Sequence, residues 1–168
     1  MINSVHISTI IKVGIAEMNI VKPPGLIRTS GLGSCVGVIL YDPIHEIGGL
    51  AHIMLPDSSL AKNGTLNHAK FADTAIEALV KLLVEAGAKQ MLLKAKIAGG
   101  AQMFQFISGS EMMRIGPRNS EAVKEELKRF NIELKAEDTG GSSGRTIEFN
   151  PKTSELMVRT VNHGVRVL

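Results

Sequence analysis

The sequence predicts an α+β fold, one domain of mostly antiparallel sheet with two substantial helices. Three observations lead there. Residues 36–41 and 50–55 are short runs rich in Val, Ile and Leu on either side of Asp42-Pro43-Ile44-His45-Glu46, whose Asp-Pro start suits a turn. Residues 146–149 and 156–161 repeat that arrangement around Asn150-Pro151-Lys152. Two other segments carry helical spacing: Phe71, Ala72, Ala75, Ile76, Leu79, Val80, Leu83 and Val84 in the first, and residues 119–130 behind Pro117 in the second.

Each element follows in order. Residues 10–21 read as a strand, broken by Pro23-Pro24-Gly25. Residues 26–29 form a short strand, 30–34 a glycine-bearing loop, and 36–41 and 50–55 the hairpin, stopped by Pro56-Asp57-Ser58. Residues 59–68 are polar loop, with Asn67 placed to cap the first helix and Gly87 placed to end it. Residues 92–98 return as a strand up to Gly99-Gly100, 101–113 fit neither pattern, 132–136 form a strand, and 137–144 are loop. The whole chain, residues 1–168, reads as one domain with no repeat and no linker.

Composition narrows the function classes. The hydrophobic fraction is 44% and the charged fraction 21%, ordinary for a soluble globular chain. With no Trp and one Tyr, the core is aliphatic. A net charge of +3 without a Lys/Arg block gives no footprint for nucleic acid. No apolar run approaches membrane-spanning length, and the first residues lack a signal-peptide pattern, so a cytoplasmic address with no membrane insertion is expected. One cysteine excludes an internal disulfide and any paired-cysteine zinc site. Cys35, His45, His52 and His68 lack short ligand spacing, so no metal is expected. Gly31-x-Gly33 precedes a strand rather than a helix, and the run from Gly140 to Arg145 lacks the Gly-Lys ending of a phosphate loop.

The chemistry concentrates in Gly31-Leu32-Gly33-Ser34-Cys35 and in His52. If Leu40 faces Ile47 across the turn, Cys35 faces His52 directly. A thiol needs a base to become a nucleophile, and an imidazole supplies one. The main chain at Gly33 and Ser34 offers N–H groups for an oxyanion. A third group should orient the imidazole: Thr29 is the local candidate, with Asp57 and Asp138 as carboxylate alternatives. Packing is the simpler role for a lone Cys and a lone His, so the constellation alone leaves catalysis open.

At these residues the sequence resembles the CheD family of chemoreceptor glutamine deamidases. The matching blocks are Gly31-Leu32-Gly33-Ser34-Cys35-Val36, the run from Ala51 to Ser58, Lys96-Ile97-Ala98-Gly99-Gly100-Ala101, Ile115-Gly116-Pro117-Arg118-Asn119 and Glu137-Asp138-Thr139-Gly140-Gly141. The resemblance implies Cys35, His52 and Thr29 as catalytic residues and a layered α/β sandwich similar to the catalytic domain of cytotoxic necrotizing factor toxins. It implies chemotaxis receptors as substrate, a CheC-type phosphatase as partner, and no cofactor. In that frame Gly33 and Ser34 belong to the oxyanion loop. The rims of the substrate groove are then the segment 101–113 and the loop 137–145, with Asp138, Thr139, Gly140 and Arg145 as candidate binding residues. A second reading is a non-catalytic chemotaxis regulator that binds receptor or phosphatase through the same surface.

Overall fold

The continuous apolar run of residues 36–41 is buried along its entire length, which requires cover on both faces. A second sheet supplies one cover and the two helices the other. The structure, a computed structural model, describes residues 9–62, 64, 66–103 and 114–168. His6 and residues 104–113 of the expected groove rim lie outside them.

The strands are β1 (Ile10–Lys12), β2 (Met18–Val21), β3 (Leu26–Leu32), β4 (Val36–Asp42), β5 (Ile47–Ile53), β6 (Lys94–Gly99), β7 (Glu133–Thr139), β8 (Arg145–Asn150), β9 (Glu155–Thr160) and β10 (Gly164–Val167). The helices α1 (Ala72–Glu85) and α2 (Ile115–Arg129) follow β5 and β6. The first sheet has the order β1-β3-β8-β9-β10 and the second β2-β5-β4-β6-β7. Both are mixed: β1 runs parallel to β3 and β7 parallel to β6, and the other pairings are antiparallel.

Alternation along β4 divides the core in two. Val36, Val38 and Leu40 join Ala51 and Ile53 beneath Ile76, Leu79, Leu83, Val123 and Leu127 of the helices. Ile39, Tyr41 and Leu50 face Ile27, Ile147, Phe149, Leu156 and Val158 of the first sheet. The result is three layers: sheet, sheet, helices. In α1 the buried face is Ala72, Ala75, Ile76, Leu79, Val80 and Leu83. Val84, counted in that stripe from spacing, is exposed, because it lies off the centre of the face. Gly87, with φ +112°, follows the C-cap Ala86 as expected.

Several boundaries differ from expectation for local reasons. The strand expected at 10–21 is two strands in different sheets. Between them Glu17 Oε2 accepts the Gly14 N–H at 2.9 Å and Ala16 turns at φ +59°, so the chain crosses from the first sheet to the second. Strand β3 continues past Thr29 to Leu32 through a bulge, which shortens the expected glycine loop to 33–35. Strand β7 includes Asp138 and Thr139, so the loop behind it starts at Gly140. Asn67 accepts the Ala69 N–H in a turn ahead of α1, whose N-cap is Phe71. Helix α2 begins at Ile115, two residues before Pro117. Strand β10, with every residue exposed, carries no burial pattern to announce it.

Candidate active site where the chain passes between the sheets

Gly37, not Cys35, faces His52 across β4 and β5. The expected register is off by two residues, and Asp42 explains why. Its buried side chain accepts the Ile44 and His45 N–H groups at 2.9 and 3.0 Å, which keeps Asp42 in the strand, opposite Ile47. The turn is thereby confined to residues 43–46. Its carboxyl lies below the ordinary range: burial raises it, and the Lys89, His45 and Ile44 N–H groups together with the His45 ring outweigh that rise. A shift of two preserves the face. Cys35 therefore stays on the His52 side of the sheet, one diagonal step away, packed against the inter-sheet core. A Cβ at Gly37 would lie 2.6 Å from Ile147 Cδ1, so only glycine lets the first sheet close down opposite His52.

His52 is fully buried. Its main chain is pinned by the β1–β2 turn: its N–H donates to the Glu17 carbonyl at 3.0 Å, and its carbonyl accepts from Ala16 at 3.1 Å. Its Nδ1 lies 2.7 Å from Thr29 Oγ1, so a side-chain bond links the second sheet to the first. Thr29 Oγ1 also sits 2.7 Å from the Val13 carbonyl, which only accepts. The single hydroxyl proton is committed there, so Thr29 accepts from His52 Nδ1–H. Nε2 then carries the lone pair. It is buried and, among the described residues, has no hydrogen-bond partner, the Cys35 thiol included. The directly opposed Cys35–His52 pair expected from the sequence is thus replaced by a diagonal one, with no hydrogen bond between the two side chains.

Burial pushes the His52 imidazole down to about 4. Burial also pushes the Cys35 thiol up, and the Cys35 backbone N–H offsets part of that rise. Both side chains are neutral near pH 7. The arrangement is a thiol beside a desolvated, correctly tautomeric base rather than a preformed ion pair.

The cysteine turn is held from behind. The Gly33 N–H donates to the Gly31 carbonyl at 3.1 Å, which leaves the N–H groups of Ser34 and Cys35 as the oxyanion donors to consider. The Gly33 carbonyl accepts from Ala101 at 2.9 Å and the Cys35 carbonyl from Gly100 at 2.8 Å. Gly99, at φ +113°, runs so close that a Cβ there would overlap the Cys35 carbonyl.

The remaining candidates fall elsewhere. Asp57 accepts the Ser59 N–H at 2.7 Å in the turn after β5. Asp138 pairs with Arg145, Oδ1 to Nε at 2.9 Å, and Arg145 also donates to the Gly140 carbonyl at 2.8 Å. Arg145 is buried, so Asp138, Gly140 and Arg145 form a clip across the ends of β7 and β8, with Thr139 beside Gly99 of β6. Of these, Asp138 and Arg145 border a cleft of about 300 Å³ that His163 and Arg166 also line. Sequence reasoning gave no role to Asn119, whose fully buried side chain donates to Ser34 and Met54; in sequence it stands at an expected helix start and closes one of the blocks that carry the family resemblance.

Comparison with known proteins follows from this geometry. The family model described as CheD chemotactic sensory transduction matches residues 54–160, a span that starts just after His52. Whole-chain relatives reach further. The chain is 59% identical over 155 residues to the chemoreceptor glutamine deamidase CheD of Halalkalibacterium halodurans, covering 92% of this chain and 96% of that one. It is 56% identical over 161 residues to the protein of that name from Bacillus licheniformis, covering 96% of each. It is 55% identical over 161 residues to that of Bacillus subtilis, covering 96% of this chain and 97% of the relative. Among solved structures it is similar to Bacillus licheniformis hypothetical protein YfiH at TM-score 0.46 and 13% identity, over 73% of this chain and 49% of that one, a likeness too distant to bear on the site. Identity above one half along nearly the full length settles the relationship: the chain belongs to the CheD family.

Proposed function

We propose that the chain is a protein-glutamine deamidase acting on chemotaxis receptors, with Cys35 as nucleophile, His52 as acid and base, and Thr29 as the group that sets the imidazole. One observation carries the catalytic assignment: the Thr29 hydroxyl proton is committed to Val13, so His52 presents a bare, buried Nε2. The names of the relatives carry the substrate class.

The reaction follows from those groups. The Cys35 sulfur attacks the side-chain amide carbon of a receptor glutamine while its proton passes to His52 Nε2. The hydrogen bond that is absent at rest forms as substrate enters. Main-chain N–H groups at Ser34 and Cys35 hold the oxyanion, with Gly33 shaping the turn. Collapse returns the proton to the departing nitrogen, and ammonia leaves a thioester behind. Water then gives its proton to Nε2 and attacks the thioester, and the thiol is restored as glutamate departs. The sum is glutamine plus water to glutamate plus ammonia, with no cofactor consumed.

The same reading makes residues 1–168 one catalytic domain, similar in fold to the cytotoxic necrotizing factor catalytic domain. It places the protein in the cytoplasm, where receptor glutamines are reached, and gives it a CheC-type phosphatase as partner. Asp138, Thr139, Gly140 and Arg145 form the far rim of the groove, Arg145 stiffening the loop rather than offering a free guanidinium.

Mass mapping of a receptor cytoplasmic fragment incubated with the protein tests the activity. The expected result is glutamine-to-glutamate conversion at defined sites with an intact backbone; backbone cleavage, or no conversion, overturns the reading. Thr29→Val tests the positioning role. It strands both the Val13 carbonyl and the His52 Nδ1–H, so stability should fall by about 1–3 kcal/mol in urea titration. The folded variant should lose about 10- to 100-fold in kcat, because the imidazole is free to adopt the other tautomer.

A further inference from the structure

Asn119 stands one turn into α2, fully buried, with its amide nitrogen 3.0 Å from the Ser34 carbonyl and 2.9 Å from the Met54 carbonyl. Ser34 C=O and Cys35 N–H belong to one peptide unit. That unit is planar and trans, so its oxygen and its hydrogen point in opposite directions. Anchoring the oxygen on α2 aims the Cys35 N–H away from the helix. This N–H belongs to the same residue as the sulfur and already opposes the burial-driven rise of the Cys35 thiol. The second bond, to Met54, lies two residues beyond His52 and ties the anchor to the strand that carries the base.

We infer that Asn119 is a positioning residue for deamidation: it fixes and polarises the Ser34–Cys35 peptide so that the Cys35 N–H serves as the oxyanion donor. A hydrogen bond accepted by a peptide oxygen makes the N–H of the same unit a stronger donor. The neighbouring main-chain bonds, Gly100 to the Cys35 carbonyl and Ala101 to the Gly33 carbonyl, leave the Ser34–Cys35 unit to Asn119 alone among the described residues. The inference rests on the thioester reading above.

Asn119→Asp keeps the shape and, when ionised, removes both donors. Asn119→Ser is too short to span the two carbonyls. Two rates are measured for each variant and normalised to the folded fraction. One is ammonia release from a receptor fragment. The other is alkylation of Cys35 by iodoacetamide, which needs the thiolate but develops no oxyanion. The expected result is a fall in kcat of about 10²-fold, the scale of one lost oxyanion donor. KM and the alkylation rate should each stay within about threefold of the parent. A kcat within that margin overturns the inference, as does alkylation that slows in step with kcat, which would mark a purely structural role. A check without substitution uses the ¹⁵N-labelled parent chain and a glutamine-like aldehyde that traps the thiol as a hemithioacetal. The Cys35 amide proton should move downfield more than any other in residues 30–36, and an unmoved Cys35 amide overturns the inference. Failure of the underlying thioester reading shows separately, as ammonia release retained by Cys35→Ala.

Discussion

Cys35→Ala is expected to reduce ammonia release from a receptor fragment to background while leaving the chain folded. Losing the nucleophile of a covalent mechanism removes the entire acyl-enzyme route, a loss on the order of 10⁵- to 10⁶-fold. The fold should barely notice. Cys35 is half-buried in the turn before β4. The bonds that hold the turn are made by main-chain atoms, including Gly100 N–H to the Cys35 carbonyl at 2.8 Å, and alanine preserves them. Deleting one partly exposed sulfur should move the urea midpoint by less than about 1 kcal/mol in stability. The variant also separates an enzyme from a binding module, since a regulator that works by docking keeps its effect. Continued conversion of receptor glutamine by Cys35→Ala would sink the thioester mechanism.

The second large effect concerns acid. The folded imidazole of His52 titrates at about 4, against 6.5 when free of the fold. Between those values the unfolded chain binds a proton that the folded chain refuses, so stability rises with pH across this window and is lost as pH falls through it. The loss begins near 6.5 and is complete near 4. Integrated to pH 4 it amounts to about 3 kcal/mol. His52→Asn removes the titrating group while keeping a short donor for Thr29. Urea titrations of the parent and this variant, run from pH 7 down to pH 4, should converge by about that amount; parallel curves would show that His52 is not held neutral by burial. Activity obeys the same group. Deamidation by the parent chain should persist well below pH 6 and fail only as Nε2 takes up a proton, whereas His52→Asn should lose at least about 10³-fold at every pH.

Much of this was legible in residue patterns, and the failures share a cause. Strand β4 declared itself because both faces are covered, giving an unbroken apolar run; β5 was expected at 50–55 but runs Ile47–Ile53, because Gly48-Gly49 carries no strand signal. Helix α1 was read from its spacing. The pairing of β4 with β5 was misread by two residues because the sequence shows an Asp-Pro turn but not that Asp42 closes it from within the strand. Parity survived, and with it the shared side of Cys35 and His52. The crossing at Ala16 was invisible, since a positive φ at alanine has no propensity signal. Thr29 and His52 are 23 residues apart and lie in different sheets. Spacing made Thr29 the local candidate but left two aspartates as alternatives, and only tertiary geometry shows its proton committed to Val13. Asn119 was hidden for the same reason, because a buried amide reaching two distant carbonyls leaves no periodic trace.

The bond from Thr29 to His52 joins the two sheets, and the Cys35 turn is the strand-to-strand passage between them. Neither layer alone holds a competent base. On the proposed mechanism a half-assembled chain carries Cys35 without its partner and is expected to release no ammonia, and turnover is expected to be lost whenever the two layers part at the Thr29–His52 bond. If Cys35 and His52 act as proposed, catalysis is a gauge of closure: the thiol becomes dangerous to amides only once the sandwich is shut.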